Sequence, residues 1–157
     1  MAGRETPATR AAKAAHIEHA VHEYVHDPAA ESYALEAAEA LGLDAARVFK
    51  TLVVAAEGGS AGLAVCIVPA GETLDLKAVG KRAAMAPTEH AERVTGYVAG
   101  GISPLGQRRA LPTLIDDSAL AHPTIFVSAG RRGLELELAP DDLIALTRAT
   151  VRRLRRL

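Results

Sequence analysis

The sequence predicts a mixed α/β fold in one domain, and three observations carry that prediction. Short apolar runs of strand-like composition recur along the chain, and helical patterns fall between them in no regular alternation. No internal repeat or linker interrupts the 157 residues, a length suited to one core. Many short strands with irregularly placed helices suggest a curved sheet as the centre of the molecule.

Residues 1–8 read as a loose, flexible tail, and the domain is expected to occupy residues 9–157. "TRAAKAAHIEHA" (Thr9–Ala20) is Ala-rich and predicts a helix. "AVHEYVHDP" alternates and predicts a strand that ends near Asp27. "SYALEAAEALGL" predicts a helix with Leu35, Ala38 and Leu41 on one face and Gly42 as its stop. "RVFKTLVVAA" and "GLAVCIVPA", joined by "EGGSA", predict a β-hairpin. "TLDLKAVGKRAAMAPTEHAERVTG" predicts two short helices broken at Pro87. "LPTLID" and "PTIFVSAG" are strand-like. "GLELELA" alternates without a fault, with Leu134, Leu136 and Leu138 on one face and Glu135 and Glu137 on the other. The last segment, "APDDLIALTRATVRRLRRL", predicts one helix opened by Pro140 and two aspartates. Its buried stripe would be Leu143, Leu146, Thr147, Thr150, Val151 and Leu154, and its terminal arginines would sit on the carbonyl end of the dipole.

Composition excludes several function classes. The net charge is −1, aromatics are 3% and there is no Trp. A general nucleic-acid binder held by overall basicity is therefore excluded, DNA-binding among them, and so is an extended base-stacking platform. No apolar run approaches the ~18 residues of a membrane helix. The N-terminus has no secretory apolar region, and the single cysteine, Cys66, fits a reducing compartment, so a cytoplasmic protein is expected.

Four histidines between His16 and His26 raise the question of a metal. On a strand, His22 and His26 lie about 13 Å apart, too far for one ion, so no metal and no cofactor is expected. Cys66 lies among aliphatics in "LAVCIV", where a small core side chain explains it better than a nucleophile does. The Gly-x-Ser-x-Gly match at Gly58–Gly62 falls in the predicted hairpin turn rather than at a strand-to-helix elbow, and no phosphate-binding Walker loop is present. Any catalysis is therefore expected to proceed without a protein nucleophile.

Two features invite chemistry. Lys50 places a cation at the start of an apolar strand, beside Thr51; it reads equally as an edge lysine or as a phosphate contact in a cleft. "GYVAGGISPLG" packs Gly100, Gly101, Ser103, Pro104 and Gly106 into seven residues. Side-chain-free positions let backbone N–H groups approach a ligand and hold a developing oxyanion, and a tight structural turn is the other reading. Arg131 and Arg132 in "SAGRRG" fit either a phosphate-facing pair or a solvated turn.

Taken in chain order, "YVHDP", "ALGLDAARVFKTLVV", "TGYVAGGISPLGQRRALPTLID" and "VSAGRRGLELELAPDDLI" resemble the YbaK family of aminoacyl-tRNA deacylases. The likeness runs from about His19 to Leu146 and is nearest to the stand-alone Cys-tRNA(Pro) deacylases. It implies a barrel-like mixed sheet surrounded by helices. It also implies an editing role in trans: prolyl-tRNA synthetase mischarges cysteine because a pocket rejects a near-isostere poorly, and a second site clears the error.

By the resemblance, Lys50 is the family's essential lysine, which holds the terminal adenosine phosphate. Gly100, Gly101, Ile102, Ser103 and Pro104 form its Gly-x-x-x-Pro loop around the ester. Tyr24 and Tyr33 are pocket aromatics, although Tyr33 is commonly Phe there. Thr51 and Ser128 line the pocket, with Gly130 beside them in the same block; the Ala-specific relatives tend to carry His near Ser128. The implied mechanism uses the substrate's own thiol. The implied partners are mischarged tRNA and prolyl-tRNA synthetase. Clearing of another small amino acid such as Ala or Ser, and a non-catalytic RNA- or protein-binding module, are the competing expectations.

Overall fold

The computed structural model describes residues 5–30 and 32–157. Helix α1 (Pro7–Ala14) owes its start to a capping box: the Thr6 hydroxyl accepts from the Thr9 amide, and the Thr9 hydroxyl accepts from the Thr6 amide. Thr6 also donates to the Ala129 carbonyl, and Ala8 and Ala12 are fully buried. The expected loose segment 1–8 is thus corrected over Thr6–Ala8, which is cap and core, while residues 1–4 lie outside the described residues. The helix stops well short of Ala20. His16 takes a left-handed φ of 56°, and the chain turns into strand β1 (His19–Glu23).

Helix α2 (Tyr33–Ala40) is capped by Ser32, and Ala37 and Ala38 are buried on its inner side. The predicted hairpin forms from β2 (Phe49–Ser60) and β3 (Leu63–Pro69), antiparallel with Phe49 opposite Pro69 and Val53 opposite Val65. Between the two predicted helices that follow lies a short strand: α3 (Leu76–Val79), β4 (Ala84–Met85) and α4 (Thr88–Thr95) succeed one another, with Pro87 as the break. Then come β5 (Thr113–Asp116), β6 (Ile125–Ser128) and β7 (Leu134–Leu138), each where strand composition predicts it.

The C-terminal segment departs from expectation. Helix α5 (Pro140–Thr147) ends where Arg148 turns left-handed at φ 56°, and strand β8 (Thr150–Arg152) follows, parallel to β5. The β-branched pair Thr150 and Val151 suits a strand better than a helix and is exposed, whereas Leu154 is fully buried. The arginines therefore do not sit on a helix dipole. Arg152 donates to the Ala78 carbonyl at 2.8 Å, and Arg155 pairs with Asp116 at 2.7 Å.

Two sheets result. One is three-stranded, in the order β1-β7-β6; the other is five-stranded and mixed, in the order β4-β2-β3-β5-β8. The expected barrel-like closure is corrected: both sheets are open. Among the described residues one isolated bridge, Val48 to Phe126, joins them, and β8 pairs with β5 alone. Strand β3 is buried along its whole length because both of its faces are covered. Leu63, Val65 and Ile67 face the main core with Leu134, Leu136 and Leu138, while Cys66 and Val68 face a second cluster with Leu74 and Leu154.

Candidate active site

Where β2 begins, beside the small sheet, four consecutive residues from Phe49 to Leu52 form one wall of a cavity of about 290 Å³. Tyr24, Tyr33, Gly100, Ile102, Ser128 and Glu135 supply much of the rest. Lys50 and Thr51 therefore open into the same space as the first glycine of the loop. Burial pulls the Lys50 ammonium below its ordinary pKa, and the Glu72 carboxylate opposes that shift. The Thr51 hydroxyl is buried without a hydrogen-bond partner among the described residues.

Tyr24 directly follows β1, where its amide donates to the Gly133 carbonyl at 3.0 Å. Burial pushes its phenol up to about 12, reinforced by the negative charges of Glu135 and Glu36. Glu36 anchors this corner. Its carboxylate takes the His26 ring at 2.8 Å and the Asp27 amide at 2.6 Å, and the His26 ring in turn lies 5.6 Å from that of Tyr33. His22 bonds Glu137 instead, and among the described residues no group of three or more His, Cys, Asp or Glu is placed to hold a metal ion.

The glycine loop is braced from several sides. Glu92 accepts from the Ala99 amide at 2.7 Å, Ser103 accepts from the Leu105 amide at 3.2 Å, and the Tyr97 hydroxyl donates to the Leu105 carbonyl at 2.6 Å. Gly100 needs to be glycine twice over. Its φ is +87°, and a Cβ there would lie 2.6 Å from Cε2 of Tyr33. No acceptor among the described residues takes the Gly100 N–H.

The remaining loop residues do other work. Gly101 gives its N–H to the Val98 carbonyl at 2.9 Å and turns toward the Gly130–Arg132 turn, where a Cβ would lie 2.8 Å from the Arg131 Cα. Gly130 packs on Tyr97 and Thr6, Pro104 lines a separate groove beside Ala11, and Ser103 is fully buried. The cavity thus gathers Tyr24, Tyr33, Lys50, Thr51, Gly100, Ile102 and Ser128, but not Gly101, Ser103, Pro104 or Gly130. Cys66 is fully buried elsewhere, its thiol pushed up to about 12 by burial.

Sequence reasoning missed Glu135. Alternation assigns it to a solvent face, yet it is only 6% exposed and its carboxyl is pushed up to about 8 by burial. A signal was present: closing the "SAGRRG" turn into a hairpin sets Glu135 opposite Ser128. Ser32, Ala34, Phe49 and Leu52 were missed too, since only the folded chain shows that they border this cavity.

The model of the aminoacyl-tRNA editing domain matches residues 27–146. The chain is 39% identical over 115 residues to EbsC of Enterococcus faecalis, a proposed Cys-tRNA(Pro)/Cys-tRNA(Cys) deacylase; the match covers 70% of this chain and 69% of that protein. Among solved structures, a proposed trans-editing enzyme for prolyl tRNA synthetase superimposes with a TM-score of 0.80 at 29% identity, covering 98% of this chain and 99% of that one. The hypothetical protein APE2540 shares the fold with a TM-score of 0.84 at 22% identity, over 96% and 100% of the two chains. The chain belongs to the aminoacyl-tRNA editing domain family.

Proposed function

We propose that this protein is a cytoplasmic trans-editing deacylase that removes cysteine from tRNA(Pro), and also from tRNA(Cys). The observation that carries the reading is the shared cavity: Lys50, Gly100 and the pocket residues Tyr24, Tyr33, Thr51 and Ser128 converge on one space, and the buried Cys66 is not among its lining. EbsC, the relative covered over most of its length, points to the same substrates.

In this reading Lys50 holds the phosphate of the terminal adenosine, and the Gly100 N–H faces the ester carbonyl. The substrate thiolate attacks that carbonyl, and the bond from the acyl carbon to the ribose oxygen breaks. The ribose oxygen takes up a proton as tRNA leaves, and the cysteine departs as a thiolactone that water then opens. Orientation and one well-placed donor contribute substantially to such a step without covalent participation of the protein. The near-neutral net charge of −1 supports weak intrinsic tRNA affinity, so selectivity for tRNA(Pro) would come from a complex with prolyl-tRNA synthetase.

Deacylation of Cys-, Ala- and Ser-tRNA(Pro) side by side tests this reading. Faster loss of the cysteinyl ester supports it, with Cys66→Ala remaining active and Lys50→Ala inactive though folded. Preference for Ala or Ser, or tight binding of uncharged tRNA without turnover, would replace it with one of the competing functions.

A further inference from the structure

The two glutamates of β7 have opposite circumstances. Glu137 is well provided for: it accepts from Thr124 at 2.6 Å, meets His22 at 2.9 Å and lies 3.7 Å from Arg47. Glu135 is buried in the wall of the cavity, and no hydrogen bond or ion pair to its carboxyl is found among the described residues. A buried carboxyl with no partner is costly to ionise, and it stays protonated until something supplies a cation or a strong donor.

The groups around it do not fill that need. Tyr24 beyond β1 is a neutral phenol, and Ser128 on β6 accepts from the Gly130 amide. His22, its cross-strand neighbour on β1, turns its ring nitrogen to Glu137. Glu36 on α2 is committed to His26 and Asp27. Lys50 on β2 lines the same cavity, but the carboxylate acting on its charge is Glu72. Among the described residues no cation pairs with this carboxyl, which leaves it open to a cation brought by a ligand.

We infer that Glu135 is the anchor for the α-ammonium group of the aminoacyl ester, becoming ionised as the substrate enters. The inference rests on the deacylase reading and adds the element that every aminoacyl ester carries, independent of its side chain. Before binding, the carboxyl is neutral and the ammonium is solvated. Afterwards a carboxylate faces an ammonium, and the carboxyl proton has passed to solvent. One proton is released per molecule bound wherever the pH lies below the α-amine's range and below the raised pKa of the free protein's carboxyl, yet above the ordinary carboxylate range.

The test uses two uncleavable acceptor-stem ligands in which a 3′-amide replaces the ester, one carrying cysteine and the other 3-mercaptopropionate, which lacks the amino group. Calorimetric titration at about pH 6, in two buffers of different ionisation enthalpy, counts released protons. The wild type should release close to one proton with the cysteine ligand and none with the other, and should bind the first at least about tenfold more tightly. Glu135→Gln should release none and lose that preference while still binding both ligands. Equal wild-type binding of both ligands without proton release overturns the inference and leaves the deacylase reading standing, as does unchanged release in Glu135→Gln. Binding of neither ligand overturns both. If Glu135→Gln fails to fold, the wild-type comparison of the two ligands decides.

Discussion

The guanidinium of Arg132 lies 4.2 Å over the Tyr33 ring, and its Nη2 donates to the Ala99 carbonyl at 2.9 Å. One side chain thus clamps the aromatic wall of the cavity to the residue preceding Gly100. Of the two readings of this arginine in the sequence, solvated turn or phosphate contact, the structure adds a third: a brace.

Arg132→Ala should therefore loosen the cavity rather than unfold the protein. The stacked, partly exposed contact is worth about 0.5–1 kcal/mol, so the melting temperature should fall only slightly. Discrimination should fall more. The ratio of kcat/KM for Cys-tRNA(Pro) over a bulkier ester such as Leu-tRNA(Pro) should drop several-fold, and Arg132→Lys, which keeps the cation but not the planar fork, should recover only part of it.

The two adjacent glycines should fail for different reasons. Gly100→Ala puts a methyl group into Tyr33 and Arg132 at a φ of +87°, so deacylation should fall at least about tenfold as the amide is displaced from the ester. Gly101→Ala drives a methyl group against the Arg131 backbone, and its main effect should be lost stability, on the order of 1–3 kcal/mol by denaturant unfolding. Equal stability of Gly101→Ala and wild type would contradict this division.

Asp116 should govern the acid limb of stability. It is fully buried, which by itself raises its pKa. The hydrogen bonds from Ser118, the Leu154 and Arg155 amides and the Arg155 side chain outweigh burial and hold it below the usual carboxylate range. A depressed native pKa favours folding at pH above the unfolded value, about 3.9, and that contribution disappears as pH falls through the native pKa. Asp116→Asn should cost about 3 kcal/mol at neutral pH and flatten the acid limb of the unfolding curve.

Glu135 predicts the opposite sign. Its native pKa of about 8 lies above the ordinary glutamate value, so the native state holds an extra proton and stability declines as pH rises between the two. Glu135→Gln should unfold at higher denaturant than wild type at alkaline pH, by on the order of 2 kcal/mol, with the difference vanishing in acid. A mutant less stable than wild type at alkaline pH would refute the buried, unpaired state of this group.

Most strands were legible because alternation and apolar runs mark extended chain, as in "LELEL" and "LAVCIVP". The open sheets were not, since barrel closure came from family likeness and depends on which edges pair at long range. The C-terminal strand was hidden because Leu143, Leu146, Val151 and Leu154 mimic a helical stripe, while the actual stop, Arg148 in a left-handed conformation, has no glycine to announce it. At the site, Lys50, Thr51, Tyr24, Tyr33 and Ser128 were reachable from pattern and resemblance. Glu135 was not, because a glutamate that alternates with leucines looks solvated until its cross-strand neighbour and the roof above it are known.

The central claim is that the cavity orients an ester whose own sulfur does the cutting, and single-turnover deacylation of two isosteric substrates tests it most directly. Cys-tRNA(Pro) and 2-aminobutyryl-tRNA(Pro), which carries a methyl group in place of the thiol, should bind alike, while the second should be cleared at least about a hundredfold more slowly. Equal clearance of both would show that water or a protein group attacks the ester, and would contradict the account.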